Sequence, residues 1–176
     1  MNPQSLIRSL TRAGRGLPVA LSLALAVTPV QTSAARADAG MQTQNEEIIR
    51  RAFEGWAAGR NVFTEILAPD VTWTIHGSGP VAGTYRSREA FIEHASRPLL
   101  SRLAAPLVPR LHRIWTADDT VVIRFEAAAT TTAGRPYSNQ FVWIFRMKGG
   151  SVVEAEAFLD LFAYRNVVDT SEPRSP

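Results

Sequence analysis

Apolar residues recur at helical spacing in the first half of the chain. Such residues lie three and four positions apart at Ile48, Ile49, Ala52, Phe53 and Trp56. Residues 43–46, Thr-Gln-Asn-Glu, have the form of a capping box, and Gly59 is placed to end this helix. A shorter helix is predicted over residues 62–67, closed by Pro69, and Ser87 can cap a third that runs toward Leu99.

The second half alternates between apolar and polar residues, which predicts strands. They cover residues 71–75, 111–115, 121–132, 136–147 and 152–164, with turns at 118–119, 133–134 and 149–150. The polar residues 169–176 are predicted to form a disordered tail. Helices followed by an antiparallel meander predict an α+β domain with helices on one face of a curved sheet.

Strand periodicity then predicts which side chains share a face. If the turn at Gly149-Gly150 is symmetric, Phe158 lies opposite Phe141 and Asp160 opposite Asn139. The face predicted in this way gathers Arg124, Glu126, Asn139, Phe141, Trp143, Glu156, Phe158 and Asp160. Carboxylates among aromatic rings have raised pKa values suited to acid–base catalysis. The alternative is a solvated ladder of ion pairs formed by Arg124, Glu126 and Glu156.

The opposite face is predicted to be more uniformly apolar and to pair with a second subunit. Its residues are Ile123, Phe125, Val142, Ile144, Ala155, Ala157 and Leu159. One layer of helices can cover only one face of a sheet, so we expect a homodimer.

Residues 1–39 read as a signal peptide. Arg8, Arg12 and Arg15 precede the apolar run 17–30, and small residues allow cleavage after Ala37 or Ala39. The run is too short for a stable membrane anchor, so we expect a periplasmic or secreted domain. The alternative is translation from Met41, which would give a cytoplasmic protein.

The leader also carries the basic charge of the chain. Removing residues 1–37 takes away four of 19 basic residues and none of the 16 acidic ones, so the net charge changes from +3 to −1. Binding to nucleic acid is therefore not expected. The chain has no cysteine, and its three histidines lack metal-ligand spacing, so neither a metal nor a cofactor is predicted.

Three segments resemble the SnoaL-like and ketosteroid-isomerase-related branch of the nuclear transport factor 2-like superfamily. They are residues 53–56 (Phe-Glu-Gly-Trp), residues 70–85 from Asp-Val-Thr-Trp through a glycine-rich loop to Thr-Tyr, and residues 134–160, which end in Glu-Ala-Phe-Leu-Asp. The resemblance covers residues 44–168, within a domain predicted over 40–168. It implies a cone-shaped (cystatin-like) fold, a pocket for a small hydrophobic molecule and dimerisation through the outer sheet face.

The resemblance implies several activities, which the residues match unequally. Steroid isomerisation is disfavoured, because the positions of its base and hydrogen-bond donors hold Thr74, Ala52 or Phe53, and Val142. Limonene epoxide hydrolase is matched by Arg124, Glu126 and Asp160, although glutamate replaces aspartate at 126. Polyketide cyclases of this family use an acid on the last strand, which again corresponds to Asp160.

We therefore expect either an enzyme of cofactor-independent acid–base chemistry or a binding module without catalysis on the same fold. In the enzyme, cyclase-like or epoxide hydrolase-like, Asp160 would be the base, Arg124 would bridge the carboxyls and Glu126 would be the acid. The predicted ligand-binding residues are Trp73, His76, Asn139, Phe141, Trp143, Glu156 and Phe158.

Overall fold

A computed structural model describes residues 30–174. The predicted leader therefore lies outside the described residues except for its last ten positions. The elements in chain order are α1 (Val30–Ala57), α2 (Val62–Ile66), β1 (Leu67–Ile75), β2 (Gly83–Tyr85), α3 (Arg88–Phe91), a π-helical segment (Ile92–Ser96), α4 (Arg97–Leu100), β3 (Val108–Ala117), β4 (Thr120–Thr130), β5 (Pro136–Lys148), β6 (Ser151–Leu159) and α5 (Leu161–Thr170).

The six strands form one mixed sheet in the order β2-β1-β6-β5-β4-β3. The pair β1 and β6 is parallel, and the other neighbours are antiparallel. Burial alternates along β5, where the inner positions Phe141, Trp143 and Phe145 are buried and face the helices. The predicted α+β class is confirmed.

The helix starts were predicted with mixed success. Ser87 caps α3 as expected, because its hydroxyl accepts from the backbone N–H of Ala90. Thr43 was wrongly expected to cap the first helix: it lies inside α1, where its hydroxyl donates to the Ala39 carbonyl. Residues 34–40 of α1 are exposed, and its burial begins at Asn45.

The last predicted strand is really a strand followed by a helix. Strand β6 ends at Leu159, and Asp160 begins α5 by accepting from the backbone N–H groups of Phe162 and Ala163. The segment 169–174, predicted to be disordered, completes α5 and then lies against the turn after β4. There the Thr132 hydroxyl donates to the Glu172 carbonyl.

The pairing between β4 and β5 is shifted by one residue from the pairing expected for the predicted turn, which is symmetric about Ala133 and Gly134. Thr130 pairs with Pro136 and Glu126 pairs with Gln140, which leaves an odd number of residues in the connection. Gly134 adopts the left-handed conformation, with φ of 74°, as three-residue hairpin loops with a bulge require. A shift of one residue moves every side chain of a strand to the other face.

A β-bulge produces the same shift between β5 and β6. Next to the Gly149-Gly150 turn the pairing is symmetric, with Met147 opposite Val152, but further along Arg146 lies opposite Glu154. Val153 is the extra residue. Beyond it Phe141 pairs with Leu159, not with Phe158.

These two shifts make the predicted faces wrong. The inner face combines Asn139, Phe141 and Trp143 with Ile123, Phe125, Ala155, Ala157 and Leu159. The outer face combines Arg124, Glu126, Glu156 and Phe158 with Val142 and Ile144. The acidic and aromatic face expected from symmetric turns is not formed.

Candidate ligand-binding cavity

A cavity of about 870 Å³ lies between the inner sheet face and the helices. Its volume falls within the range typical of pockets for small organic ligands. Most of its wall is apolar, with contributions from Trp56, Val62, Phe63, Trp73, Ile75, Val81, Phe91, Ile92, Ala95, Leu99, Leu100, Leu103, Leu107, Phe141, Trp143, Ala157 and Leu159.

Aromatic rings in contact with one another form much of that wall. Trp73 stacks on Phe91 with ring centroids 4.0 Å apart, and Trp56 is parallel to Trp143 at 5.9 Å. Phe63 packs edge-on against both Trp73 and Phe91. Because these rings hold one another in place, the wall is rigid and suited to a flat apolar ligand.

The wall contains one hydrogen-bond donor with no acceptor. Trp73 is only 1% exposed, and its indole Nε1 contacts no acceptor in residues 30–174. An unpaired buried donor costs on the order of 1–3 kcal/mol, so such groups are rare in folded proteins. The nitrogen is itself closed off from the cavity, so this donor does not contact a molecule bound there.

Tyr164 is the one tyrosine of the described cavity wall. It projects from α5, and its hydroxyl donates to the carbonyl of Ala95 in the π-helical segment at 2.8 Å. Burial raises its pKa well above the ordinary value of 10.0, so the phenol is neutral at physiological pH. Segments of π-helix are often found at functional sites, and this one lines the cavity through Ile92, Ala95 and Ser96.

All the charged side chains that line the cavity within the described range are arginines: Arg60, Arg97 and Arg174. No aspartate, glutamate, histidine or lysine of residues 30–174 contributes to the wall. The cavity therefore offers hydrogen-bond donors and positive charge but no carboxylate or imidazole that could act as a general base.

Three of the predicted ligand-binding residues line this cavity, namely Trp73, Phe141 and Trp143. Asn139 is buried just beyond it. Its amide donates to the Tyr137 hydroxyl and the Asp160 carbonyl, and its side-chain oxygen accepts from the Asp160 backbone N–H. Asn139 thus fixes the junction between β6 and α5 and does not line the cavity.

Arg124 and Glu126 lie on the outer face and do not meet Asp160. The Glu126 carboxylate accepts from Arg110 at 2.7 Å and from His112 at 3.2 Å, and these hydrogen bonds hold its pKa below the ordinary value. Arg124 donates to Gln140 at 3.4 Å. The ion-pair alternative therefore describes Glu126, although its partners are Arg110 and His112 from β3.

His76, Glu156 and Phe158 form a separate cluster outside the cavity. The His76 Nε2 lies 2.7 Å from a Glu156 carboxylate oxygen, and its ring stacks on Phe158 at 4.6 Å. Both side chains of the ion pair are more than one-third exposed. His76 was expected at the pocket rim, but it lies against the outer side chains of β6.

Asp160 is exposed and caps α5, where one carboxylate oxygen accepts hydrogen bonds from the backbone N–H groups of Phe162 and Ala163. It does not line the cavity. The catalytic set of Asp160, Arg124 and Glu126 was inferred from a predicted shared face and from the resemblance to limonene epoxide hydrolase, and the shared face is not present.

Sequence reasoning missed several residues of the wall. Trp56 and Phe63 were placed correctly on helices but were not predicted to line a pocket, and Tyr164 was assigned to a strand. A signal for α5 was present: an aspartate before Leu161, Tyr164, Val167 and Val168 has the form of an N-cap followed by helical spacing.

Residues 30–174 contain neither a membrane-spanning helix nor a group of metal ligands. No helix there combines the length and apolarity that a membrane crossing requires. In the same range, no three side chains of histidine, aspartate or glutamate are grouped as metal ligands.

A profile of the SnoaL-like domain family matches residues 49–155, which include α1 from Ile49, most of the cavity wall and most of the sheet. The chain belongs to the SnoaL-like domain family. Its membership agrees with the mixed sheet and the cavity between sheet and helices, and it confirms the resemblance noted from residues 53–56, 70–85 and 134–160. No functionally curated protein matches the chain in sequence.

Solved structures of this superfamily share the fold. A candidate SnoaL-like polyketide cyclase from Jannaschia sp. CCS1 aligns with TM-score 0.59 at 22% identity, over 75% of this chain and 96% of that one. A nuclear transport factor 2-like protein from Burkholderia thailandensis gives 0.58 at 22%, over 70% and 95%. TerC, co-crystallised with polyporic acid, gives 0.58 at 20%, over 72% and 99%. The cone-like α+β fold of this SnoaL-like domain is thereby established.

Proposed function

We propose that this SnoaL-like domain binds a small, largely apolar molecule in the cavity between sheet and helices. The observation that carries the proposal is the apolar, largely aromatic wall around a cavity of about 870 Å³. A ligand would bury its apolar surface against these rings. The co-crystallisation of TerC with polyporic acid supports a small organic ligand in this fold.

The chemistry of the wall favours binding over acid–base catalysis. A general base must come within hydrogen-bond reach of the proton it removes. The ionisable groups of the described wall are three arginines and the neutral phenol of Tyr164, none of which accepts a proton at neutral pH.

A cavity-filling variant tests the proposal. Ala157 is 2% exposed and lines the cavity from β6. In Ala157→Phe the added ring occupies space that a ligand needs, so the affinity for the neutral fluorescent probe N-phenylnaphthylamine should fall at least about tenfold. Binding is measured by probe emission, and folding by thermal unfolding.

The matched control makes the same change on the outer sheet face. Ala128 of β4 is exposed and does not line the cavity, so Ala128→Phe should bind the probe like the parent. Equal affinity of a folded Ala157→Phe variant and the parent would rule out the cavity as the binding site.

Enzymatic activity on a small hydrophobic substrate is the second candidate, favoured by the SnoaL-like polyketide cyclase among the structural neighbours. With Asp160 as the base, Asp160→Asn would abolish turnover without unfolding the domain. The location of Asp160 at a helix start argues for the binding function, and a substrate whose turnover is lost in this variant would establish the enzyme instead.

We further propose that the domain is exported and acts as a homodimer. Residues 34–40 are exposed, so cleavage after Ala37 or Ala39 would remove no core contact. The N-terminus of the native protein, read by mass spectrometry, tests export, and an N-terminus at Met41 would contradict it. A cluster of apolar residues on the outer sheet face, which includes the exposed Trp115 and Phe158, supports the dimer.

A further inference from the structure

The charges around the cavity have one sign. Arg60, Arg97 and Arg174 approach it from three parts of the chain: the connection after α1, the start of α4 and the C-terminal segment. No acidic side chain of the described chain lines it. The charges that a bound molecule meets are therefore positive.

The glutamates that pair with two of these arginines lie outside the cavity wall, so the charges that line it remain positive. Arg60 pairs with Glu65 at 2.8 Å and Arg97 with Glu93 at 2.7 Å, but neither glutamate lines the cavity. Both arginine side chains are more than half exposed, which places them where the cavity meets solvent. Exposed pairs of this kind are weak, so the guanidinium groups can exchange partners at little cost.

The backbone of the C-terminal segment holds Arg174 beside the cavity. Its N–H donates to the Ser101 carbonyl at 2.8 Å, and its guanidinium donates to the Leu100 carbonyl at 3.4 Å. A guanidinium has five N–H donors, so most of them are left for another acceptor. Low-dielectric walls strengthen the field of a cleft lined by one sign of charge.

We propose that the ligand of this cavity is an acid: an apolar, flat molecule whose carboxylate, sulfonate or phenolate lies at the arginine-lined mouth. This inference rests on the proposed binding function and adds the charge of the ligand to it. The aromatic wall binds the apolar body, and Arg97 and Arg174 bind the anion, because guanidinium groups match oxyanions in geometry.

Two probes that differ by one charged group test the proposal. N-phenylnaphthylamine is neutral, and anilinonaphthalene sulfonate is the same aromatic system with a sulfonate. The sulfonate should bind the parent protein about fivefold more tightly, and about 0.5 M salt should remove most of that difference. Arg97→Gln and Arg174→Gln should each weaken binding of the sulfonate about threefold more than binding of the neutral probe.

The control breaks an equivalent ion pair away from the cavity. Arg50 pairs with Glu46 four residues earlier on α1, as Arg97 does with Glu93, so Arg50→Gln should affect neither probe. If both probes bind equally and neither cavity arginine matters, the acid is ruled out but the binding function stands. If neither probe binds a folded protein, both proposals fail.

Discussion

Asp160 joins the sheet to the last helix, and its side chain stabilises the start of α5. Asparagine caps helices as well as aspartate does, whereas alanine cannot accept a hydrogen bond. Asp160→Ala should therefore lower the free energy of unfolding by about 1 kcal/mol, and Asp160→Asn should change it by only a few tenths. Urea unfolding measures both variants. Equal destabilisation by the two would show that the cap is not the stabilising contribution of this side chain.

The three tyrosines make stability depend on alkaline pH. Burial raises the pKa of Tyr137 from 10.0 to about 12, and it also raises the pKa of Tyr85 and Tyr164. The folded state holds these protons more tightly than the unfolded state, so the stabilisation is complete below pH 10 and is lost as the pH rises toward 12.

Tyrosinate absorbance and circular dichroism should therefore change together in an alkaline titration. The ionisation of Tyr137 and Tyr164 should accompany the loss of structure above about pH 10. Three tyrosines that ionise reversibly near pH 10 in a folded domain would contradict the buried environments described for these phenols.

At the scale of elements, Val153 determines which side chains of β6 face the cavity. As the bulge residue, it places Ala155, Ala157 and Leu159 inside and Glu154 and Glu156 outside. Inserting one alanine after Glu154 would reverse the facing of the residues that follow it and turn Glu156 toward the core. We expect a loss of at least about 3 kcal/mol in unfolding free energy, because an unpaired charge would be buried.

Val153→Ala is the control for that insertion, since it keeps the residue count and therefore the register. It should cost about 1 kcal/mol or less, as small truncations of half-buried side chains do. An insertion variant as stable as Val153→Ala would show that the strand tolerates either register and that the residue count of β6 does not fix the two faces.

The connections between β4 and β5 and between β5 and β6 show what the sequence could and could not reveal. Five strands and the helical segments at 62–66 and 88–100 were predicted from periodicity within about five residues, because apolar spacing reports local geometry directly. Helix α1, by contrast, begins at Val30, well before its predicted cap at Thr43. The faces depend on an even or odd residue count in the connections at 131–135 and 149–153, and neither a glycine at a turn nor a valine in a strand reveals a bulge. The site residues followed from the faces, so Arg124, Glu126, Glu156 and Phe158 were assigned to the wrong side.

At the scale of the whole molecule, a cluster of apolar residues lies on the outer face of the sheet, and no element of residues 30–174 packs over it. Its members lie on four adjacent strands and are Trp115, Val122, Val142, Ile144 and Phe158. Trp115 and Phe158 are each more than 40% exposed. Such a cluster favours pairing with a second copy through the sheet.

A single charge should break that dimer. Val142 is central to the cluster, between Arg124 and Phe158 in neighbouring strands, so Val142→Glu should give a monomer in sedimentation velocity. Ala133→Glu, at an exposed turn, should leave the parent state unchanged. A parent protein that sediments as a monomer at all concentrations would contradict the dimer.

The central claim is that ligand binds in the inner cavity and not on the outer face. The four tryptophan indole N–H groups, seen in a nitrogen-15 correlation spectrum, report on both places, because Trp56, Trp73 and Trp143 line the cavity and Trp115 lies on the outer face. On titration with N-phenylnaphthylamine, the account predicts saturable shifts of the three cavity signals, assigned by single Trp→Phe variants, with the Trp115 signal unmoved. A shift of Trp115 alone on binding would contradict it.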